Sequence, residues 1–185
     1  MANNKKKNVW ILVITSSLIF VIGTIAFIIL YNNNTYNEAK NLFDSGSYYD
    51  VFSIYYKKLN GSNKAKIKKL LVEEISHKKW KSQYEMTYTN FNNCVGNEYV
   101  EVDNEIANHY VICGNEQYEY GGANGKSKIN LELQQIDNSK IVFEMTGSDN
   151  LYLFIYRNDE INIETGSVNS SRNYQMFYHK FDVEK

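Results

Sequence analysis

Proline does not occur in this chain of 185 residues, which excludes polyproline linkers and recognition segments. Cysteine occurs twice, at Cys94 and Cys113. Two cysteines are too few for a cysteine-dense scaffold. With no C-x-x-C or paired-histidine spacing they also leave a tetrahedral metal site short of ligands, so no metal is expected. Charge is missing between residues 9 and 31, which excludes a solvated surface helix there. No Lys or Arg lies between Lys81 and Lys126, an interval that holds seven acids. No phosphate-binding loop, catalytic motif or cofactor fingerprint is present; His109 and Cys113, four apart on a strand, are too distant to act as nucleophile and base, while Cys94 with His109 or His179 stays open. The expectation is therefore no cofactor and no enzymatic activity.

What stands at residues 9–31 is VWILVITSSLIFVIGTIAFIILY. Twenty-three residues in a helix reach about 34 Å, enough to cross a hydrocarbon core of about 30 Å. The polar residues inside it (Thr15, Ser16, Ser17 and Thr24) are small and can hydrogen-bond back to their own helix. Trp10 and Tyr31 stand at the two ends, where interfacial aromatics belong. Lys5, Lys6 and Lys7 precede the span, and the next twenty residues after it hold one cation, Lys40. The positive-inside rule then places residues 1–8 in the cytoplasm and residues 32–185 outside it. A cleaved leader is the competing reading, but its apolar core would be about 7–15 residues, followed by a small-x-small site. The run here is longer and ends in Leu30, Tyr31 and Asn32.

The rest of the chain divides by charge. Residues 32–81 carry a net charge of +5 and residues 82–185 a net charge of −9. A basic helical segment over 32–83 is thus expected to precede an acidic β domain over 84–185. Ala39, Leu42 and Phe43 recur at helical spacing, and Asp44-Ser45-Gly46 stops that helix. Val51, Phe52, Tyr55 and Leu59 form a second stripe, ended by Asn60-Gly61-Ser62. A closing helix is predicted from Asn63, as cap, to about Gln83, with Ile67, Leu70, Leu71, Ile75 and Trp80 on its apolar face.

Residues 35–59 resemble a single tetratricopeptide-type hairpin, through Ala39 and Leu42 in the first helix and Gly46, Tyr48, Val51 and Tyr55 in the second. Val51 stands where that family has Ala, and its Trp-x-x-Leu-Gly opening is absent. The resemblance implies a helical hairpin. One copy does not make a peptide-binding array, since repeat units need about three copies to bury a continuous core. A helical hairpin without that kinship fits the same residues.

From residue 84 the period changes to two. Strands are predicted at 84–91, 98–102, 106–113, 117–120, 128–136, 140–146, 151–156, 161–165 and 174–181. Short turns such as Asp137-Asn138-Ser139 and Asn158-Asp159 favour successive antiparallel hairpins. Leu151–Tyr156 is apolar on both faces and so is expected at the centre of the sheet. The predicted class is α+β: an N-terminal transmembrane helix, a short helical hairpin with a closing helix, and an antiparallel all-β sandwich or small barrel.

Five sets of residues come into consideration as sites. Lys64, Lys66, Lys68, Lys69, Lys78, Lys79 and Lys81 could meet a membrane surface or stand as a solvated face. Tyr99, Tyr110, Tyr118 and Tyr120 could line an aromatic surface or belong to the core. Cys94 and Cys113 could join outside the cytoplasm, closing a loop of about 20 residues worth about 3 kcal/mol. Asp103, Asn104 and Glu105 offer oxygens but read better as a polar turn. Gly121, Gly122 and Gly125 lack the Lys and Ser/Thr of a phosphate cradle.

The expected role is a non-catalytic binding or assembly module, anchored by one span in a bacterial envelope. Its partner would be a protein or envelope polymer, besides the membrane itself. The bacterial reading rests on abundant Asn, Lys, Ile and Tyr, which use AT-rich codons. Nucleic acid is not expected, because no groove-reading motif is present. Two alternatives remain: an envelope enzyme dependent on Cys or a metal, and an accessory protein acting through its transmembrane helix.

Overall fold

The computed structural model of the chain describes residues 2–119, 126–146, 151–168 and 175–184, with side chains at 13–119, 126–145, 151–166 and 180–184. The first helix, α1 (Ala2–Asp44), is unbroken over 43 residues. It is long and apolar enough to span a membrane, and among the described side chains none from Val13 to Leu30 is buried against protein. Its small polar groups are satisfied within the helix: Ser16 Oγ donates to the Val13 carbonyl at 3.0 Å and Thr24 Oγ1 to that of Phe20 at 2.8 Å. Asn32-Asn33-Asn34 does not interrupt the helix, because a run with neither Pro nor Gly costs only tenths of a kcal/mol per residue. Beyond it Thr35, Ala39 and Phe43, spaced four apart, are buried. One helix therefore runs from the lipid-length apolar stretch into the folded domain.

α1 ends in a Schellman turn. Gly46 takes φ +81°, its N–H bonds the Phe43 carbonyl at 2.9 Å, and the Ser47 N–H bonds that of Leu42 at 2.9 Å. The next helical segment, α2 (48–58), starts as α-helix at Tyr48–Asp50. It widens to a π turn at Val51–Tyr55 and tightens to a 3-10 turn at Tyr56–Lys58. α3 (Gly61–Ile75) is capped by Asn60, whose Oδ1 accepts from the Asn63 N–H at 2.8 Å. The cap thus lies three residues before the expected one. Ile67, Leu71, Val72 and Ile75 form its buried stripe.

α3 stops well short of residue 83. Ser76 Oγ donates to the Val72 carbonyl at 2.7 Å, and His77 reverses the chain at φ +60°. Lys79–Ser82 is then a strand, β1, with alternating burial. Trp80 is therefore a strand residue, paired with Val100 on one side and Val183 on the other, and not part of a helix face. The predicted strand at 84–91 is shorter too: β2 is Met86–Tyr88, and Thr89–Phe91 is a 3-10 turn.

The remaining strands are β3 (Cys94–Asp103), β4 (Ile106–Cys113), β5 (Glu116–Glu119), β6 (Lys126–Lys128), β7 (Asn130–Ile136), β8 (Lys140–Thr146), β9 (Leu151–Tyr156), β10 (Ile161–Val168) and β11 (Gln175–Val183). They form one antiparallel sheet in the order β5-β4-β3-β1-β11-β10-β9-β8-β7, with β2 beside β3 and β6 beside β4. Two meanders, β3–β5 and β7–β11, are joined by β1. The sheet curls into a half-barrel, not a two-layer sandwich. Residues 126–136 reach across its opening: β6 pairs with β4, and β7 pairs with β8. β9 lies inside the order, and Leu151 to Ile155 are all buried, as expected of a strand covered on both faces.

The helices fill the concave face of the sheet. Ala39, Phe52, Ile67 and Leu71 belong to the same core cluster as Trp80, Val100, Phe143, Leu153, Ile163 and Phe181. Phe52 meets Phe143 edge-on at 5.0 Å. Tyr49 binds the far turns of the sheet: its N–H bonds Asp159 at 2.7 Å and its hydroxyl donates to the Asp137 carbonyl.

Candidate functional site

The seven lysines do not form one surface. α3 starts beside the end of the apolar stretch, where Asn63 Nδ2 donates to the Asn32 carbonyl at 3.3 Å. Lys66 Nζ lies 5.0 Å over the Tyr36 ring and Lys64 Nζ 5.5 Å over the Tyr56 ring. Lys68 donates to the Leu131 carbonyl at 2.9 Å, and Lys69 pairs with Glu73 at 3.8 Å. Lys78, Lys79 and Lys81 lie past the other end of α3. Lys78 pairs with Glu74 and Lys79 with Glu184; Lys79 and Lys81 both sit over Tyr99. The hydrogen bond to Glu184 holds the Lys79 ammonium above the usual lysine range. Sequence reasoning missed Lys57 and Lys58, which are exposed in the last turn of α2. The signal was available, for no acid lies between Asp50 and Glu73.

The tyrosines separate in the same way. Tyr99 and Tyr110 are cross-strand partners, stack at 5.4 Å between ring centroids, and lie on the face of the sheet turned away from the helices. Tyr110 donates to Glu101 at 2.7 Å. Burial, and then this bond, push the Tyr110 hydroxyl up, so it stays neutral at physiological pH. Tyr118 belongs to another group. It is paired with Val111, stacks on Phe91 at 5.1 Å and donates to Glu116. Tyr120 and the Gly121–Gly125 segment fall outside the described residues. Asp103-Asn104-Glu105 forms the β3–β4 turn, with Asn104 at φ +54°.

Cys94 and Cys113 are joined, with Cα atoms 5.8 Å apart. In that state neither sulfur is a nucleophile. Four residues further along the same two strands, on the concave side, Glu98 and His109 are both buried, with Oε2 and Nε2 3.6 Å apart. The Phe181 ring stands edge-on to His109 at 6.2 Å, and Ser82 Oγ accepts from the Glu98 N–H at 3.0 Å. Burial and then the charge of Glu98 push the Tyr88 hydroxyl up. Sequence reasoning gave this pair no partnership, since eleven positions and a turn separate Glu98 from His109. Among the described residues no group of three or more His, Cys, Asp or Glu could hold a metal ion.

One open groove lies between α3 and the β6–β7 segment. It measures ≈ 490 Å³, with Ala65, Val72, Ile129 and Leu131 as an apolar floor and Lys68, Lys69 and Lys128 at the rim. Its lysines are already engaged, Lys128 with Glu105 at 3.4 Å. Comparison with family models, with curated proteins and with solved structures finds no match.

Proposed function

We propose that the chain is a single-pass membrane protein that presents its α+β domain on the outer side of a bacterial membrane, as a binding or assembly module and not as an enzyme. The observation that carries this reading is the continuity of α1. From Val13 to Leu30 its side chains are exposed, while Thr35, Ala39 and Phe43 are buried in the domain. A helix shared in this way fixes the height and tilt of the domain relative to the bilayer, which suits a module that must meet a partner at a set distance.

Two features support the outward orientation: the lysines at 5–7 against the single Lys40 just after the span, and a disulfide, which persists in oxidising compartments. The test is protease added to intact cells expressing the chain with a C-terminal tag. Loss of the tag, with the protein still in the alkali-resistant membrane fraction, is the expected result. A protected tag would reverse the topology, and release by alkali would remove the anchor.

A further inference from the structure

We infer that the elbow between α2 and α3 is a binding collar for anionic phospholipid headgroups, formed by Lys57, Lys58, Lys64 and Lys66. The inference rests on the anchoring reading above. Headgroups add about 5–7 Å to each side of the hydrocarbon core. At about 1.5 Å per residue, the five residues from Asn32 to Tyr36 cross that layer once Val9–Tyr31 fills the core. Whatever touches this stretch of α1 therefore lies at headgroup depth. Asn63 touches it at Asn32 and Lys66 at Tyr36. Advancing three residues on α3 thus matches advancing four on α1, so the two helices leave the membrane in the same direction. The elbow, residues 56–63, is the end of the helical layer that lies against the bilayer.

The charge of this elbow is of one sign. Residues 51–72 contain six lysines and no acid. Lys68 and Lys69 are used within the fold. Lys57, Lys58, Lys64 and Lys66 form no ion pair among the described residues. The last three hold their ammonium groups over tyrosine rings, Lys58 over Tyr55 at 5.2 Å, and a ring face orders a cation without neutralising its charge. Lys78, Lys79 and Lys81 do not belong to the collar. α3 carries them about 22 Å along its length, and Lys78 and Lys79 already face Glu74 and Glu184.

The test uses the full chain in nanodiscs of equal phosphatidylcholine and phosphatidylglycerol, with retained lipids counted by native mass spectrometry. Wild type is expected to retain phosphatidylglycerol preferentially. K57Q/K58Q/K64Q/K66Q should lower that retention at least about fivefold, the factor that one lysine at an anionic surface supplies; the matching arginine variant should keep it. K78Q/K79Q/K81Q should leave it unchanged. No preference in wild type, or equal loss in both glutamine variants, overturns the collar. Failure of wild type to enter the disc overturns the anchoring reading instead, and the collar with it. Should circular dichroism show the quadruple variant unfolded, K57Q/K58Q decides alone, since both side chains are exposed: retention within twofold of wild type overturns the collar.

Discussion

Two residues carry more of the β3–β4 region and the far turns than their size suggests. Gly96 is the first. A Cβ placed on it would lie 2.0 Å from the Ile112 carbonyl oxygen and 2.9 Å from its carbon, both backbone atoms of the neighbouring strand that no rotamer change can move. Gly96→Ala must therefore push β3 away from β4 next to the Cys94–Cys113 bond. The expected cost is about 2–3 kcal/mol, read as a lower urea midpoint of the detergent-solubilised chain. An unchanged midpoint would mean that the two backbones are not so close. The second is Asp137, in the β7–β8 turn. Burial pushes its pKa up, but hydrogen bonds from the Ser139 hydroxyl and N–H, the Lys140 N–H and the Gln135 amide outweigh this and hold the carboxyl below its ordinary 3.8. A carboxyl depressed by folding stabilises the fold above its unfolded pKa and loses that contribution as pH falls through its folded one. The stability gap between wild type and Asp137→Asn should thus be constant above about pH 4 and close below it. Urea midpoints measured from pH 6 downward check this, and a gap that persists at the acid end contradicts it.

At the scale of elements, the disulfide closes the β3–β4 hairpin where β2 also pairs, since Tyr88 stands opposite Cys94. With a sequence separation of 19, replacing both cysteines by serine should cost about 3 kcal/mol. Amide exchange should quicken first in β2 and the start of β3; acceleration spread evenly over the sheet would point to a global effect instead. The same elements show which parts of the fold are readable in advance. β4, β8 and β9 have their expected bounds because each is an apolar or alternating run flanked in the sequence by turn-forming residues. The end of α3 was hidden: Lys78, Lys79, Trp80 and Lys81 continue a basic helix in composition, and the break depends on His77 at φ +60° and on Val100 and Val183, distant residues that pair with Trp80. The junction at Asn32–Asn34 was hidden for the opposite reason. Three asparagines look like an interface, yet nothing in them stops a helix. At the candidate site, the basic elbow is legible as charge, and so are the i,i+4 pairs Lys69–Glu73 and Lys78–Glu74, but the engagement of Lys68 and Lys79 is not, because the Leu131 carbonyl and Glu184 come from distant parts of the chain.

At the scale of the molecule, the break in charge and period near residue 83 does not separate two cores. Phe52 on α2 is fully buried and packs edge-on against Phe143 of β8, while Tyr56 reaches the same ring at 6.3 Å. Removing the helices would bare Phe143, Leu153 and Ile155 at once, and a half-barrel open on that side has no second sheet to cover them. Phe52→Ala is therefore expected to cost about 3–5 kcal/mol, as a large buried aromatic does when its cavity cannot collapse. The location of the damage is the sharper observation. In a molecule with one core, hydrogen exchange in Phe52→Ala should accelerate in α2 and α3 and equally in β8 and β9, because both sides lose the same packing. In a stalk carrying a separate β domain, acceleration would stop before residue 76 and the amides of Ile141, Phe143 and Leu153 would exchange as in wild type. The first outcome also explains why the connection to α1 matters: a force applied through α1 reaches Ala39 and Phe43, and through the core they share it reaches the sheet.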